Sequence, residues 1–322
     1  MKKFLLRFFL LTGLVMLILI GLFIYTLLPM NLDTSGAEAS NKFAAPAAGQ
    51  TAEKPDVSLS LLQTGKMLSQ DMFSYRGGAF GKARDFGMAA VLVKHPKGMF
   101  LFDSGFGKNV DDHIKTMPWL MQKLTTYEKE VSAAEQLRKG GIAQDQISAI
   151  YISHSHWDHI SGLEDFPGVP VQMSADELEF IRAHRYSGLI DRFIDRLNVK
   201  TFEFAAKPYE NFERSYDLYD DGSVVFVPLP GHTDGSTGMF VNLPSGKRFF
   251  FTGDLTWALE GIQLPAERPW LARRLVDFDE AGVRRSIVKV YYLMKKYPDM
   301  VIVPAHDRRV HDQIKAFPEF EH

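Results

Sequence analysis

The chain of 322 residues contains no cysteine. This absence excludes disulfide bonds, a thiolate nucleophile, thiolate metal ligands, iron–sulfur clusters and a lipid-modified N-terminal cysteine. Any metal site must therefore consist of histidine and carboxylate side chains.

The sequence also lacks an excess of charge of either sign. Its 37 Lys and Arg residues against 39 Asp and Glu residues give a net charge of −2, so a nucleic acid is not an expected partner. Hydrophobic residues make up 46% of the chain, and this proportion indicates a folded protein rather than a disordered one.

A 21-residue segment near the N-terminus, residues 8–28, carries no charge. A helix of this length spans about 30 Å, the thickness of the hydrocarbon core of a bilayer. Three basic residues precede the segment: Lys2, Lys3 and Arg7. The positive-inside rule therefore predicts a cytoplasmic N-terminus over residues 1–7, a single transmembrane anchor over 8–28, and a periplasmic or extracellular C-terminal domain.

A cleaved signal peptide is the alternative, because Ala37-Glu38-Ala39 resembles a small-x-small cleavage site. The apolar segment is, however, longer than the ~7–15 residues of a typical signal peptide, and this site lies well beyond its end. Residues 29–56 are mostly small or polar, with few large apolar side chains, so we expect a flexible linker there. The folded domain is then expected over residues 57–322.

Short apolar runs within this domain end in residues that can carry chemistry. The runs at 88–93 and 99–102 are separated by a Pro- and Gly-containing turn, which predicts a hairpin. Further strands are expected at 147–152, 223–228, 248–252 and 300–303, and helices at 132–139, 175–184, 189–197 and 286–296. For the helix at 132–139 we expect a capping box formed by Ser132 and Glu135. Ligand-binding residues in α/β sheets typically follow strand ends in this way.

The sequence S-H-S-H-W-D-H at 153–159 has the spacing of a metal site. Residues two apart in an extended segment point the same way, so His154 and His156 can bind one ion. Asp158 and His159 follow and can face a second ion. Three further candidates each follow an apolar run: His232, Asp254 and His306. Seven ligands exceed one tetrahedral sphere and suit two ions about 3.5–4 Å apart. Imidazole and carboxylate ligands suit Zn²⁺ and similar divalent metals.

The pattern H-x-H-x-D-H, followed by His, Asp and His at strand ends, resembles the metallo-β-lactamase-fold hydrolase superfamily over about residues 88–312. The resemblance implies an α/β fold, an αββα sandwich of two packed sheets flanked by helices, with two metals at one edge. It implies three ligands of the first metal: His154, His156 and His232. It implies three ligands of the second metal, with Asp254 as the bridging carboxylate: Asp158, His159 and His306.

The C-terminal V-I-V-P-A-H-D looks most like the lactonase-like branch, which includes N-acyl-homoserine lactonases. Those enzymes have a Tyr three residues after the bridging Asp, and this chain has Trp257 there. We expect the Trp257 indole N–H to donate to a substrate carbonyl, although its reach differs from that of a hydroxyl and leaves acyl-homoserine lactone specificity open. Diiron redox relatives have Glu at the position of His156, so this chain favours hydrolysis over electron transfer.

Other residues near the motif are expected to play smaller parts. Asp103 follows a strand and can either orient a metal ligand or cap a loop, and Asp234 and Asp307 are candidate partners of the neighbouring histidines. The remaining five histidines are expected at the surface: His95, His113, His184, His311 and His322.

The predicted reaction uses a bridging hydroxide, formed at neutral pH between two divalent ions, to attack a carbonyl carbon. Asp158 can protonate the leaving group. The four tryptophans lie in or beside expected site segments and favour a small-molecule lactone or other ester with an apolar group: Trp119, Trp157, Trp257 and Trp270. The alternatives are hydrolysis of a thioester, β-lactam or phosphodiester, or a non-hydrolytic metal or redox module.

Overall fold

The computed structural model describes residues 2–35, 42–43, 55–117, 119–184 and 189–322. The strands in these residues are β1 Ser58–Gln70, β2 Ala83–His95, β3 Gly98–Phe102, β4 Thr126–Lys129, β5 Ile147–Tyr151, β6 Val171–Ser174, β7 Val199–Phe202, β8 Tyr216–Asp217, β9 Val224–Pro228, β10 Thr237–Asn242, β11 Arg248–Phe251 and β12 Val301–Val303. The α-helices are α1 Lys2–Leu27, α2 Asp71–Ser74, α3 Val110–His113, α4 Trp119–Leu124, α5 Ala133–Lys139, α6 Trp157–Ile160, α7 Ala175–Ala183, α8 Leu189–Phe193, α9 Glu260–Gln263, α10 Trp270–Val276, α11 Glu280–Lys296 and α12 Arg308–His311.

The strands form two sheets that pack face to face. The first sheet has the order β4-β1-β2-β3-β5-β6-β7, and the second has the order β12-β11-β10-β9-β8. The predicted hairpin of β2 and β3 is antiparallel, whereas β3, β5, β6 and β7 run parallel to one another. In the second sheet β11 and β12 are parallel and the other pairs are antiparallel.

Alternation along the strands produces three apolar layers, because successive side chains of a strand point to opposite faces. In β9, Val224 and Phe226 face the first sheet, and Val225 and Val227 face α11. Phe226 stacks on Tyr151 of β5 with ring centroids 4.9 Å apart, which joins the two sheets at their centre. Helices α5, α7 and α8 cover the outer face of the first sheet. This arrangement confirms the predicted αββα sandwich.

Several elements differ from the sequence-based expectations. Helix α8 ends at Phe193 instead of residue 197, and α11 begins at Glu280, six residues before the apolar periodicity starts. The Ser132 side chain does not cap α5, and Glu135 pairs instead with Lys139 at 2.9 Å. A local charge pair therefore replaces the expected capping box.

One helix in the described part of the chain, α1, is long and apolar enough to cross a membrane. Its C-terminal end lies against the folded domain, because Leu27 is buried and its carbonyl accepts from the Gly77 N–H at 2.9 Å. The Leu32 N–H donates to the Pro265 carbonyl at 2.7 Å. The Tyr292 hydroxyl of α11 donates to the Thr34 carbonyl, also at 2.7 Å.

The described part of the predicted linker therefore lies along the domain surface. Lys296, at the end of α11, places its ammonium 3.7 Å from the ring centroid of Phe43. Residues 36–41 and 44–54 of the predicted linker, including Ala37-Glu38-Ala39, lie outside the described residues.

Candidate metal centre

The seven predicted ligands converge at one edge of the sandwich. Strand β5 leads into the loop that carries His154 and His156, and α6 then carries Asp158 and His159. The remaining three follow strands of the second sheet: His232 after β9, Asp254 after β11 and His306 after β12. Both sheets thus supply side chains to one place, as expected from the order of strand ends.

Three imidazoles form the first group of this cluster. The His154 Nε2 atom lies 3.1 Å from His156 Nδ1, which lies 2.8 Å from His232 Nε2. His154 and His232 are buried, and His156 is half-buried. Three ring nitrogens directed at one point form a suitable set for a divalent ion.

The second group surrounds a carboxylate. Asp254 Oδ1 lies 2.8 Å from His306 Nε2 and 3.1 Å from His159 Nε2, while Asp158 Oδ2 lies 3.5 Å from His306 Nε2. The other oxygen, Asp254 Oδ2, lies 3.4 Å from His232 Nε2 in the first group. Asp254 therefore directs one oxygen to each group.

Acceptors around the cluster orient three of the rings through their Nδ1 atoms. They are Asp103 Oδ2 for His159 at 2.8 Å, the Gly87 carbonyl for His306 at 3.0 Å, and Asp277 Oδ1 for His232 at 2.9 Å. A neutral imidazole that donates from Nδ1 carries a lone pair on Nε2. In that state the Nε2 lone pairs of His159 and His306 face each other at 3.3 Å.

Asp254 Oδ1 is buried and has no hydrogen bond, although the two Nε2 atoms are close to it. When both rings are neutral, their two lone pairs and the carboxylate oxygen face one point, and a positive charge there would be stabilised by all three. The residues present therefore fit a bound divalent metal.

Burial and neighbouring charges shift the pKa values of these groups in different directions. Burial holds the pKa of His154 and His156 well below its ordinary value, so both rings are neutral ligands at pH 7. Burial raises the pKa of Asp254, but His306 and His159 outweigh it and hold that pKa well below its ordinary value. Burial lowers the pKa of His159, but Asp103 and Asp254 outweigh it and raise that pKa well above its ordinary value. A metal ion that binds at His159 would displace a proton from this ring.

Asp103 occupies a strained backbone position that serves this cluster. Its φ of +57° lies in the left-handed region, which Asp tolerates better than most residues. In this conformation its carboxylate accepts from the Ser153 N–H at 2.7 Å and from His159 Nδ1. Of the two roles considered for Asp103, its contacts match the orientation of a neighbouring imidazole.

The partners of His232 and His306 differ from the sequence-based candidates. Asp234 is exposed, and His232 instead contacts Asp277, which follows α10. Asp307 accepts from the Leu259 N–H at 2.9 Å and from Arg309, and the partner of His306 is a backbone carbonyl. No local pattern in the sequence marks Asp277, because it lies 45 residues from His232.

Arg268 connects several parts of the cluster and was not a sequence-based candidate. It is fully buried, and its Nη1 donates to Asp277 Oδ1 at 2.9 Å and to Oδ2 at 3.1 Å. Its Nη2 donates to the backbone carbonyl of Asp254. The guanidinium carbon lies 4.7 Å from the Trp257 ring centroid, a cation–π distance.

The Trp257 indole N–H is directed at the cluster itself. Its Nε1 donates to Asp254 Oδ2 at 3.0 Å. The same N–H was predicted to face a substrate carbonyl, and that role stays a prediction. In this structure the indole N–H therefore binds Asp254 Oδ2, the oxygen that faces His232.

Glu177 of α7 is a second buried side chain that the sequence did not mark. Its carboxylate accepts from the Ser155 N–H at 2.7 Å and from the Thr233 hydroxyl at 2.6 Å. Ser155 lies between His154 and His156, and Thr233 follows His232. Glu177 therefore holds two ligand-bearing loops together.

The expectation that the other histidines lie at the surface was wrong for three of them. His95, His113 and His311 are buried. His95 stacks on Tyr219 at 3.8 Å and pairs with Asp221 at 3.0 Å. Polar partners make the burial of these three histidines possible. The three histidines lie outside the two groups of candidate metal ligands described above.

This chain is similar to several known hydrolases. The N-acyl homoserine lactonase AttM of Agrobacterium fabrum is 23% identical over 277 residues, which cover 82% of this chain and 98% of AttM. The N-acyl homoserine lactonase AiiA of Bacillus thuringiensis subsp. kurstaki is 22% identical over 74% of this chain and 89% of its own length. A probable metallo-hydrolase of Mycobacterium tuberculosis is 25% identical over 70% of this chain and 78% of its own.

Among solved structures, an N-acyl homoserine lactone hydrolase with N-hexanoyl-L-homoserine at its catalytic metal centre superposes with a TM-score of 0.66. It is 19% identical and covers 83% of this chain and 100% of its own. These relatives confirm the predicted resemblance and the predicted enzyme class, a metal-dependent hydrolase. The model of the metallo-beta-lactamase superfamily matches residues 84–306, and the chain belongs to that family.

Proposed function

We propose that this chain is a membrane-anchored dinuclear metallohydrolase that cleaves a lactone or another ester with an apolar group. The position of Asp254 carries the proposal, because its two oxygens face two separate groups of ring nitrogens. A carboxylate with one oxygen toward each group suits two ions that share a bridging ligand. The lactonases AttM and AiiA support the class of bond.

The first ion would be held by His154, His156 and His232, and the second by Asp158, His159 and His306, with Asp254 between them. When bound, two divalent ions, with zinc as the typical metal, would supply a hydroxide near neutral pH and polarise a carbonyl. Asp158 is buried beside His306 and is positioned to hold a proton for the leaving group.

An apolar cluster beside the metal ligands supports a substrate with an apolar group. Trp157 lies between His156 and Asp158 in sequence and stacks on Phe106 with centroids 5.3 Å apart. Trp257 packs on Phe86 at 5.4 Å, and both tryptophans belong to one cluster with Phe106. Such an apolar cluster favours binding of an acyl chain over binding of a highly charged phosphate.

The anchor proposal rests on α1. Its apolar residues are exposed over most of the helix, and basic residues precede them. The same charge pattern favours a cytoplasmic N-terminus and a catalytic domain on the periplasmic or extracellular side.

The function is tested by a substrate panel with the full chain in detergent or vesicles. We expect hydrolysis of chromogenic lactones or esters to exceed that of thioester, β-lactam and phosphodiester probes, and metal analysis to find about two ions per chain. Asp254→Ala should lose most of the metal and the activity. A metal-replete protein that holds one ion would contradict the dinuclear proposal, and phosphodiester preference would contradict the substrate class.

The orientation of His232 provides a second prediction with a matched control. Asp277→Asn removes the carboxylate that fixes the His232 ring and pairs with Arg268, so metal affinity should fall about 10- to 100-fold. Asp234→Asn, two residues from His232 but exposed, should leave affinity unchanged. Competition with a metal-binding dye measures both. Equal affinity in the two variants would show that Asp277 does not position the ligand.

Trp257→Phe separates two roles for the indole N–H. The substitution keeps an aromatic ring against Arg268 and removes the donor to Asp254, so metal affinity should fall by about tenfold while kcat/KM at saturating metal changes little. Metal titration and steady-state kinetics provide the two readouts. Unchanged affinity with kcat/KM lowered by up to about 10²–10³ would instead assign the N–H to the substrate carbonyl.

Orientation in the membrane is tested with reporters fused to the C-terminus of the full chain. We expect activity from a reporter that requires export, such as a periplasmic phosphatase, and none from a cytoplasmic reporter. The reverse result would place the catalytic domain in the cytoplasm.

A further inference from the structure

The end of α1 contacts two loops of the folded domain. The Arg76 guanidinium donates to the Tyr25 carbonyl at 2.9 Å and to the Leu28 carbonyl at 3.2 Å, and the Arg76 N–H donates to the Glu267 carbonyl at 2.9 Å. Arg76 therefore joins the helix end to both loops, residues 75–82 and 264–269. These contacts keep the folded domain close to the C-terminal end of α1.

Three large apolar side chains in or beside these loops are exposed. Phe80, Leu264 and Trp270 have relative exposures of 63%, 44% and 49%. Phe80 is three residues from Gly77, which bonds to Leu27, and Trp270 is three residues from Glu267. Three residues span at most about 10 Å, so Phe80 lies near the helix end and Trp270 lies near the residue that binds the Arg76 N–H. Leu264 is adjacent to Pro265, which bonds to Leu32.

We propose that Phe80, Leu264 and Trp270, here called the rim, insert into the bilayer interface and hold the catalytic domain against the membrane surface. This inference rests on the proposed membrane anchor. Exposed apolar side chains in the loops that contact the end of α1 suit an interaction site, and their position beside the proposed membrane anchor favours lipid as the partner.

The side chains around the rim suit a lipid interface. Tryptophan is enriched at the boundary between headgroups and acyl chains, where its ring is buried and its N–H remains hydrated. The ammonium of Lys82 and the guanidinium of Arg274 are exposed, and their carboxylate neighbours lie at 4.0 Å and 3.6 Å. Both cations can reach anionic headgroups.

The rim is also connected to the metal centre. The loop that contains Leu264 continues to Arg268, which bonds to Asp254 and Asp277. If the rim contacts lipid, the loop of residues 264–269 would connect the membrane surface directly to the metal centre. An ester with an apolar chain concentrates at that surface, which agrees with the proposed substrate class.

The absence of cysteine allows a direct test with single-cysteine variants of the full chain. Phe80→Cys, Leu264→Cys and Trp270→Cys are labelled with a polarity-sensitive fluorophore and reconstituted into phosphatidylcholine–phosphatidylglycerol vesicles. The vesicles carry a nitroxide at an upper acyl carbon. Leu17→Cys, exposed in α1, reports insertion of the anchor. Ser245→Cys, in the turn between β10 and β11, is the control at the end of β11 opposite to Asp254.

Interfacial groups lie roughly 5–10 Å into the boundary, so we expect about two-fold or stronger quenching at all three rim positions and at Leu17. The Ser245 label should not be quenched. If Leu17 is quenched and the rim positions behave like Ser245, the rim does not contact lipid although the anchor is inserted. If Leu17 is not quenched, the anchor and the rim proposal both fail. Neither result bears on the metallohydrolase activity, which is measured separately.

Discussion

The burial of Asp254 among five histidines is the constraint on which the rest of the site depends. A buried carboxylate loses its hydration, at a cost of several kcal/mol, unless positive charge or hydrogen-bond donors replace the water. Asp254 receives the Trp257 N–H on one oxygen, and its other oxygen faces ring nitrogens without a hydrogen bond. A divalent ion between the carboxylate and the rings would supply the positive charge that this arrangement lacks when the rings are neutral.

The surrounding structure keeps the rings and the carboxylate from rearranging to satisfy one another. Asp103, the Gly87 carbonyl and Asp277 each occupy one nitrogen of a ring, so the other nitrogen must face inward. Glu177 and Arg268 then hold the loops that carry these side chains. Most of these supporting groups are fully buried, and loss of either member of a buried charge pair is costly. These contacts together hold the side chains of the cluster in their observed positions.

The N-terminal segment is also held against the folded domain. A helix joined to a domain by a free linker would leave the domain in any orientation relative to the membrane. Here Leu27 is buried, and Arg76 and Pro265 bind the chain that follows it. The loop that binds Leu32 also carries Arg268, so one segment contacts both the chain that follows α1 and the cluster of candidate metal ligands.

The sequence by itself determined the types of the candidate ligand residues and their place after apolar runs, and the αββα class followed from the resemblance to a known superfamily. The H-x-H-x-D-H spacing and the apolar runs before the other candidates are local patterns, so the sequence shows them directly. Tertiary structure alone decided the partners of the ligands. His232 is held by Asp277 rather than Asp234, and His306 by the carbonyl of Gly87, which lies 219 residues away. Sequence proximity could not identify these partners, because the contacts form only when the two sheets and the segment after α10 pack together.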